Sequence, residues 1–335
     1  MKAVSAPHSG ASRPGVEHIT VDAGHAGQRL DNFLLGFLKG VPRTRIYRLL
    51  RKGEVRVNKG RAKPDYRLEE GDVVRIPPVR RGESGASLHV AQAAASGRFD
   101  WLHERVQFED EHFLVLDKPS GLAVHGGSGV DIGLIEALRQ LRPHTPFLEL
   151  VHRLDRETSG CLLIAKSRAV LLRLHAMLRE GEIHKYYLAL VMGRWQGGER
   201  RVEAALEKNR PNSGEHRVEV DEAGRESASV FRPLEKLPDA TLVEIRLLTG
   251  RTHQARVHAA HIAHPIGGDD KYGDRAFNTA MKKKGLTRLF LHATRLEFRH
   301  PVSGQKLRME SPLPSDLKRA LENLHNDPDS PGAHG

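Results

Sequence analysis

Leu30, Phe33, Leu34, Phe37 and Leu38 recur at the three- and four-residue intervals of one helix face, which predicts a short amphipathic helix over 29–38, ended by Gly40. Ile46, Leu49 and Leu50 repeat the pattern, so a second helix is expected, capped by Thr44 and stopped at Gly53. Val55 to Asn58 alternates as a strand, Lys59 and Gly60 turn the chain, and Asp72 to Pro77 reads as another strand. Further on, strands and helices interleave. An apolar strand runs into Lys118, Pro119 and Gly121, a buried strand is expected at Cys161–Ala165 and a strand at 185–191, and a glycine turn at Gly250 leads into a helix. No internal repeat or sustained heptad occurs.

Punctuation divides the chain. The opening and closing runs are small, polar and broken by proline, and Pro77 to Gly97 has the composition of a linker. The expected layout is a tail at 1–18, a small domain at 19–80, a linker at 81–99, a large domain at 100–322 and a tail at 323–335. A length of 335 residues suits two domains, and 39% hydrophobic with 28% charged residues excludes global disorder. No apolar run is long enough for a membrane helix, and the first 20 residues lack the apolar core of a secretory signal. The lone cysteine, Cys161, excludes an internal disulfide and any multi-cysteine zinc site. A soluble, cytoplasmic monomer with no membrane partner is expected.

Charge changes the picture. The net is +11, but residues 29–81 hold 15 basic and 6 acidic side chains, a net of +9, whereas residues 82–335 carry only +2. A basic module joined to a nearly neutral body points to a polyanion. On the second predicted helix Arg45, Arg48 and Lys52 share a face; with Arg43, and with Arg56 and Lys59 in the hairpin, they form a candidate patch for binding folded RNA or DNA. Aromatic residues are few there, and Phe33 and Phe37 fall on the apolar side. Phosphate contact on folded nucleic acid is therefore expected ahead of base stacking.

The large domain carries three blocks with candidate chemistry: 108–125, 151–166 with Asp155 in a polar loop before a buried strand, and 248–258 with Arg251 after a glycine turn. A carboxylate at a strand edge with arginines supplied from elsewhere suits catalysis, although a structural ion pair would use the same residues. Other chemistries fit less well. Ser159, His152 and Asp155 lie too close in sequence for a hydrolase triad, and no nucleophile elbow is present. His253, His258, His261 and His264 with Asp269 and Asp270 could hold a metal, but capping, packing or RNA contact is the commoner use, so no metal is expected. No phosphate-binding or dinucleotide-binding glycine motif occurs. Asp155 and Glu157 are too close to assume the two flanking carboxylates of a glycosidase.

Residues 28–77 resemble the small RNA-binding domain of the ribosomal protein S-four type. KPSGLAVHGGSG at 118–129, HRLDRETSG at 152–160, KYYLALVMGRW at 185–195, TGRTHQARVH at 249–258 and HPIGGDDKYGDR at 264–275, in that order, resemble the RluA-type pseudouridine synthases. The resemblance implies an α+β protein. Its small N-terminal α/β domain is followed by a catalytic domain whose mixed, largely antiparallel sheet is flanked by helices. It implies isomerisation of uridines in 23S ribosomal RNA or its precursor particle, by one aspartate without a cofactor. Asp155 matches the family's essential aspartate, and Tyr187 its active-site tyrosine, able to stack on uracil and a candidate base for the C5 proton. Arg251 matches the arginine expected to pair with that aspartate and hold its pKa down, and Arg153 is expected near the RNA. Lys118 and Tyr186 read as structural, and Cys161 as buried and inert. The rival from another class is a non-catalytic RNA-binding or assembly protein.

Overall fold

A computed structural model of the chain describes residues 15–22, 24–38, 41–79, 97–126, 132–145, 147–209 and 217–326. The chain divides into two compact units, Met1–Gln92 and Ala93–Gly335, at a point within the expected linker. Residues 81–96 of that linker, and 1–14 and 327–335 of the expected tails, lie outside the described residues.

The first unit contains β1 (Glu17–Thr20), α1 (Leu30–Phe37), α2 (Arg43–Lys52), β2 (Arg56–Val57) and β3 (Val73–Ile76). Its strands pair antiparallel in the order β1-β3-β2. The predicted faces of both helices close on Val74 and Ile76 in one core. Three details differ from expectation. β1 begins inside the expected tail, because Glu17 and His18 pair with Ile76 and Arg75. α2 begins before Thr44, because Pro42, at φ −55°, occupies the cap position, and proline presets the first-turn geometry. The hairpin turns one residue early, at Asn58 and Lys59, both with positive φ, and the Asn58 amide fixes the turn by bonding Asp72 Oδ1 (2.7 Å) and the Val73 N–H (2.9 Å). Gly53 ends α2 as expected, in the left-handed region that favours glycine.

The second unit opens with a 3₁₀ turn (Asp100–Arg105), then β4 (Val106–Glu109), β5 (Phe113–Lys118), α3 (Leu134–Leu141), β6 (Glu149–Leu150), β7 (Ser159–Ala165) and α4 (Arg168–Arg179). There follow β8 (His184–Met192), β9 (Arg200–Glu203), β10 (Leu206–Asn209), β11 (Arg217–Val220), β12 (Ala228–Lys236) and β13 (Ala240–Leu247). α5 (Gln254–His261), α6 (Arg275–Lys283), β14 (Leu291–Arg299), β15 (Lys306–Glu310) and α7 (Ser315–His325) complete it. The main sheet runs β4-β5-β7-β14-β8-β13-β12-β9, with β6 added to β7 and β15 to β14. Its pairs are antiparallel except β7 with β14, so the sheet is mixed and largely antiparallel and the fold is α+β. β10 and β11 form a separate hairpin.

Both faces of the sheet centre are covered. Every position of β5 and β7 is buried, which is why those strands read as unbroken apolar runs instead of alternating. Phe113, Val115, Cys161 and Leu163 pack on Val170, Leu174 and Met177 of α4. Phe277 and Met281 of α6 and Leu317 and Leu321 of α7 pack with Leu190 and Phe290. α7 runs on through 323–325, expected as tail, because Leu324 continues its apolar stripe and is buried. Ser167 and Asp274 cap α4 and α6 by accepting the Val170 and Phe277 N–H groups.

Candidate active site

Asp155 sits in the loop from β6 to β7, and that loop is fixed on two sides. Val151 N–H donates to the Leu163 carbonyl (3.0 Å), and Leu163 N–H donates to His152 Nε2 (3.2 Å), tying the loop's start to β7. The turn after β5 clamps its far end. Lys118, fully buried, donates all three ammonium hydrogens to the carbonyls of Pro119, Leu122 and Arg156 at 2.8–2.9 Å. Gly121 N–H and the Ser120 hydroxyl donate to the carbonyls of Arg156 and Glu157. At Gly160, φ is +112° and a Cβ would lie 2.2 Å from the Ala293 carbonyl oxygen, so only glycine permits the parallel approach of β14 that ends the loop.

The opposite wall is the turn from β13 into α5. Gln254 is buried there and uses its whole amide: Oε1 accepts from Thr249 Oγ1 (2.7 Å) and Arg251 N–H (3.0 Å), and Nε2 donates to Ala228 O and Ser229 Oγ (both 2.9 Å). His253, at φ +55°, starts the helix in the left-handed region. One turn in, Arg256 points back toward Asp155. Its Nη1 is 3.3 Å from Asp155 Oδ2, while Nε and Nη2 grip Asp269 at 2.7 and 2.8 Å. Asp269 is 1% exposed, and its Oδ1 also accepts the N–H groups of Lys271 and Tyr272. Burial alone would raise that carboxyl; the bonds and charge of Arg256 outweigh it and hold Asp269 below the usual carboxylate range. Burial likewise opposes the Arg256 charge, but Asp269 and Asp155 hold the guanidinium protonated.

This corrects the arginine expected from sequence. Arg251 is exposed and turns its Nε to the Glu226 carbonyl at 3.2 Å; the arginine that reaches Asp155 is Arg256. Both belong to one motif. Only the start of α5 between them decides which one turns inward. The sequence reading also missed Asp269, which it placed in a candidate metal cluster; the carboxylate is committed to Arg256. Among the described residues no group of three or more His, Cys, Asp or Glu could hold a metal ion. His253 Nδ1 lies 2.8 Å from the Tyr272 hydroxyl, and its Nε2 is 3.9 Å from Asp155 Oδ1. The clue to both Asp269 and Tyr272 was the 264–275 run itself.

A cleft of about 650 Å³ opens between these walls, lined by Asp155, Arg153, Tyr187, Lys185, Arg251 and Arg256 among others. Lys185 and Tyr187 alternate with Tyr186 along β8, so Tyr186 faces away, where Arg295 lies over its ring at 3.9 Å. Burial and the nearby Asp155 charge push the Tyr187 phenol above its ordinary value, so it stays neutral. Burial lowers His152 to about 3, aided by the Lys185 charge, so its imidazole is neutral too. Arg153 is exposed and has no ion pair among the described residues. Cys161 is buried, and burial pushes its thiol up to about 12.

In the small unit Arg43, Arg48, Lys52, Arg56 and Lys59 are exposed and Arg45 is half-buried. Arg43 lies over the Tyr47 ring, 5.6 Å from its centroid. Arg56 donates to the carbonyls of Gly53 and Lys59, both at 3.4 Å, and so joins the end of α2 to the hairpin turn.

The chain thus joins a basic small unit to a mixed-sheet domain whose cleft carries one carboxylate and the arginine that reaches it. The model of the RNA pseudouridylate synthase family matches residues 112–261 and that of the S4 domain residues 28–74. The chain belongs to the RNA pseudouridylate synthase family. It is 53% identical over 318 residues to ribosomal large subunit pseudouridine synthase C of Escherichia coli (strain K12), covering 93% of this chain and 98% of that one. The counterpart from Pasteurella multocida (strain Pm70) is 52% identical over 315 residues, covering 94% and 96%. Among solved structures, human RNA pseudouridylate synthase domain containing 4 superposes with a TM-score of 0.57 at 23% identity, over 71% of this chain and 98% of that one. Human RNA pseudouridylate synthase domain containing 1 gives 0.51 at 26%, over 67% and 95%.

Proposed function

We propose that this protein isomerises uridines of large-subunit (23S) ribosomal RNA to pseudouridine, with Asp155 as the catalytic group and no cofactor. The observation that carries the reading is one carboxylate lining the cleft, backed by an arginine that a buried aspartate holds in place. The reaction breaks the N1–C1′ bond, turns the base and joins C5 to C1′, with no water and no change of oxidation state. One carboxylate is enough for it. Ionised Asp155 either bonds a carbon of the nucleotide or removes the C2′ proton. Arg256 fixes its orientation. The neutral Tyr187 phenol offers a stacking face for uracil, and its hydroxyl takes the C5 proton only by passing on its own.

The target nucleotide must leave its stack to enter the cleft, at a cost of a few kcal/mol. Exposed Arg153, in the same loop as Asp155, fills the gap left by the base in this reading, and the Arg43, Arg45, Arg48, Lys52, Arg56 and Lys59 patch supplies phosphate contacts that offset this cost. The partner is 23S ribosomal RNA or its precursor particle in the cytoplasm. No described helix is long and apolar enough to cross a membrane. The test is tritium release from RNA labelled at uridine C5. Wild type is expected to release it and Asp155→Asn to fall to background; equal release by both removes Asp155 from the chemistry.

A further inference from the structure

Two lysines are buried near the cleft, and they differ in one respect. Lys118 is satisfied, with three carbonyls around its nitrogen. Lys185 is 8% exposed, yet its ammonium makes a single long hydrogen bond, 3.5 Å to the Thr249 carbonyl, and no ion pair among the described residues. Burying an ammonium so poorly partnered opposes folding. Burial lowers its pKa to about 8, which still leaves it charged at neutral pH. Gly250 has no side chain to cover it: a Cβ there would lie 3.3 Å from Nζ. The unused donors therefore belong to the cleft, two residues along β8 from Tyr187 and on the same side of the strand.

We propose that Lys185 donates hydrogen bonds to a carbonyl oxygen of the target uracil and stabilises the base while it is detached from the sugar. The proposal rests on the reading of the cleft as a pseudouridine synthase site. An exposed arginine such as Arg251 suits the solvated phosphates, whereas a recessed cation meets the part of the nucleotide that enters deepest. When N1–C1′ breaks, its electron pair leaves with the base, and the charge spreads from N1 onto O2 and O4. C1′ is made good by Asp155, through a bond or by removal of the C2′ proton. When C5 then bonds C1′, the bond to Asp155 breaks or Asp155 returns the proton to C2′, the C5 proton departs, N1 gains one, and the charge on the base is gone. An ammonium beside O2 or O4 acts most strongly on the detached anion, which is the differential binding that raises a rate.

Lys185→Met keeps the length and removes every donor. The full-length variant would be assayed in saturating excess over transcribed large-subunit ribosomal RNA labelled with tritium at uridine C5. The single-turnover rate is expected to fall by about 10²–10³-fold, the range for loss of one transition-state donor. RNA affinity by filter binding should stay within about threefold, a change too small to matter at saturation. The melting temperature should equal or exceed that of wild type, because a poorly partnered buried charge is gone. Three results overturn the proposal: a rate loss below about tenfold, an affinity loss that tracks the rate loss and marks a phosphate contact, or a fall in melting temperature that marks a structural lysine. Absence of tritium release by wild type would instead remove the reading beneath it.

Discussion

Asp269→Asn tests whether a residue that touches no substrate sets the geometry of the cleft. The carboxylate accepts four N–H groups, two from Arg256 and two from the Lys271 and Tyr272 backbone. Asparagine has one oxygen. With it in the Oδ1 position, the amide hydrogens face Arg256 Nε, now 2.7 Å from an acceptor, and the contact becomes repulsive. Arg256 keeps Asp155 at 3.3 Å but loses the partner that orients it. Removing one member of a buried ion pair costs about 3–5 kcal/mol. For a unit of this size that corresponds to a drop of about 6–20 °C in melting temperature.

The pH dependence has a definite sign. A carboxyl whose folded pKa lies below its unfolded value stabilises fully above about pH 4 and loses that contribution as pH falls through the folded pKa. The gap between wild type and variant should therefore be widest near neutrality and narrow in acid. Thermal melts at several pH values and single-turnover rates below the variant's melting temperature measure both effects. The neighbour Asp270 is exposed, so Asp270→Asn is the control and should stay within about 0.5 kcal/mol. An Asp269→Asn protein with unchanged melting temperature and unchanged rate would refute the claim that this carboxylate holds Arg256.

Two further outcomes separate structure from motif. Arg251→Met should leave most of the single-turnover rate, whereas Arg256→Met should remove at least about 10²-fold of it, since the loss of an oriented charge partner for a catalytic group is of that order. Rates for the two variants, each checked for folding by circular dichroism, decide between them. Gly160→Ala places a methyl 2.2 Å from the Ala293 carbonyl at a φ that side chains rarely adopt, and should lower stability by more than about 3 kcal/mol in a denaturant melt. Wild-type behaviour there would mean that β14 can shift away from β7.

Local pattern carried much of this protein. The helix of Leu30, Phe33 and Leu34 and the buried strand of Cys161 to Ala165 are legible because a 3.6-residue period and an unbroken apolar run each have few folded solutions. The charge division pointed to a polyanion-binding block, and the loop carrying Asp155 was identifiable from its own letters. The start of β1 was not legible, since Glu17 and His18 become strand only by pairing with Ile76 and Arg75, more than fifty residues away.

The same distinction governs the cleft. Sequence placed Arg251 and Arg256 in one motif with nothing local to choose between them. Tertiary structure chose, because α5 begins at Gln254, which sends Arg256 back toward the loop and leaves Arg251 in solvent. Asp269 and Lys185 are more extreme cases. A carboxylate thirteen residues from its arginine, and a lysine on a strand, look like surface charges until the fold buries them. What the chain determined by itself was which side chains could do the chemistry. Which of them are aimed at Asp155 was decided by long-range packing, whose partners lie too far apart in sequence for any local pattern to record.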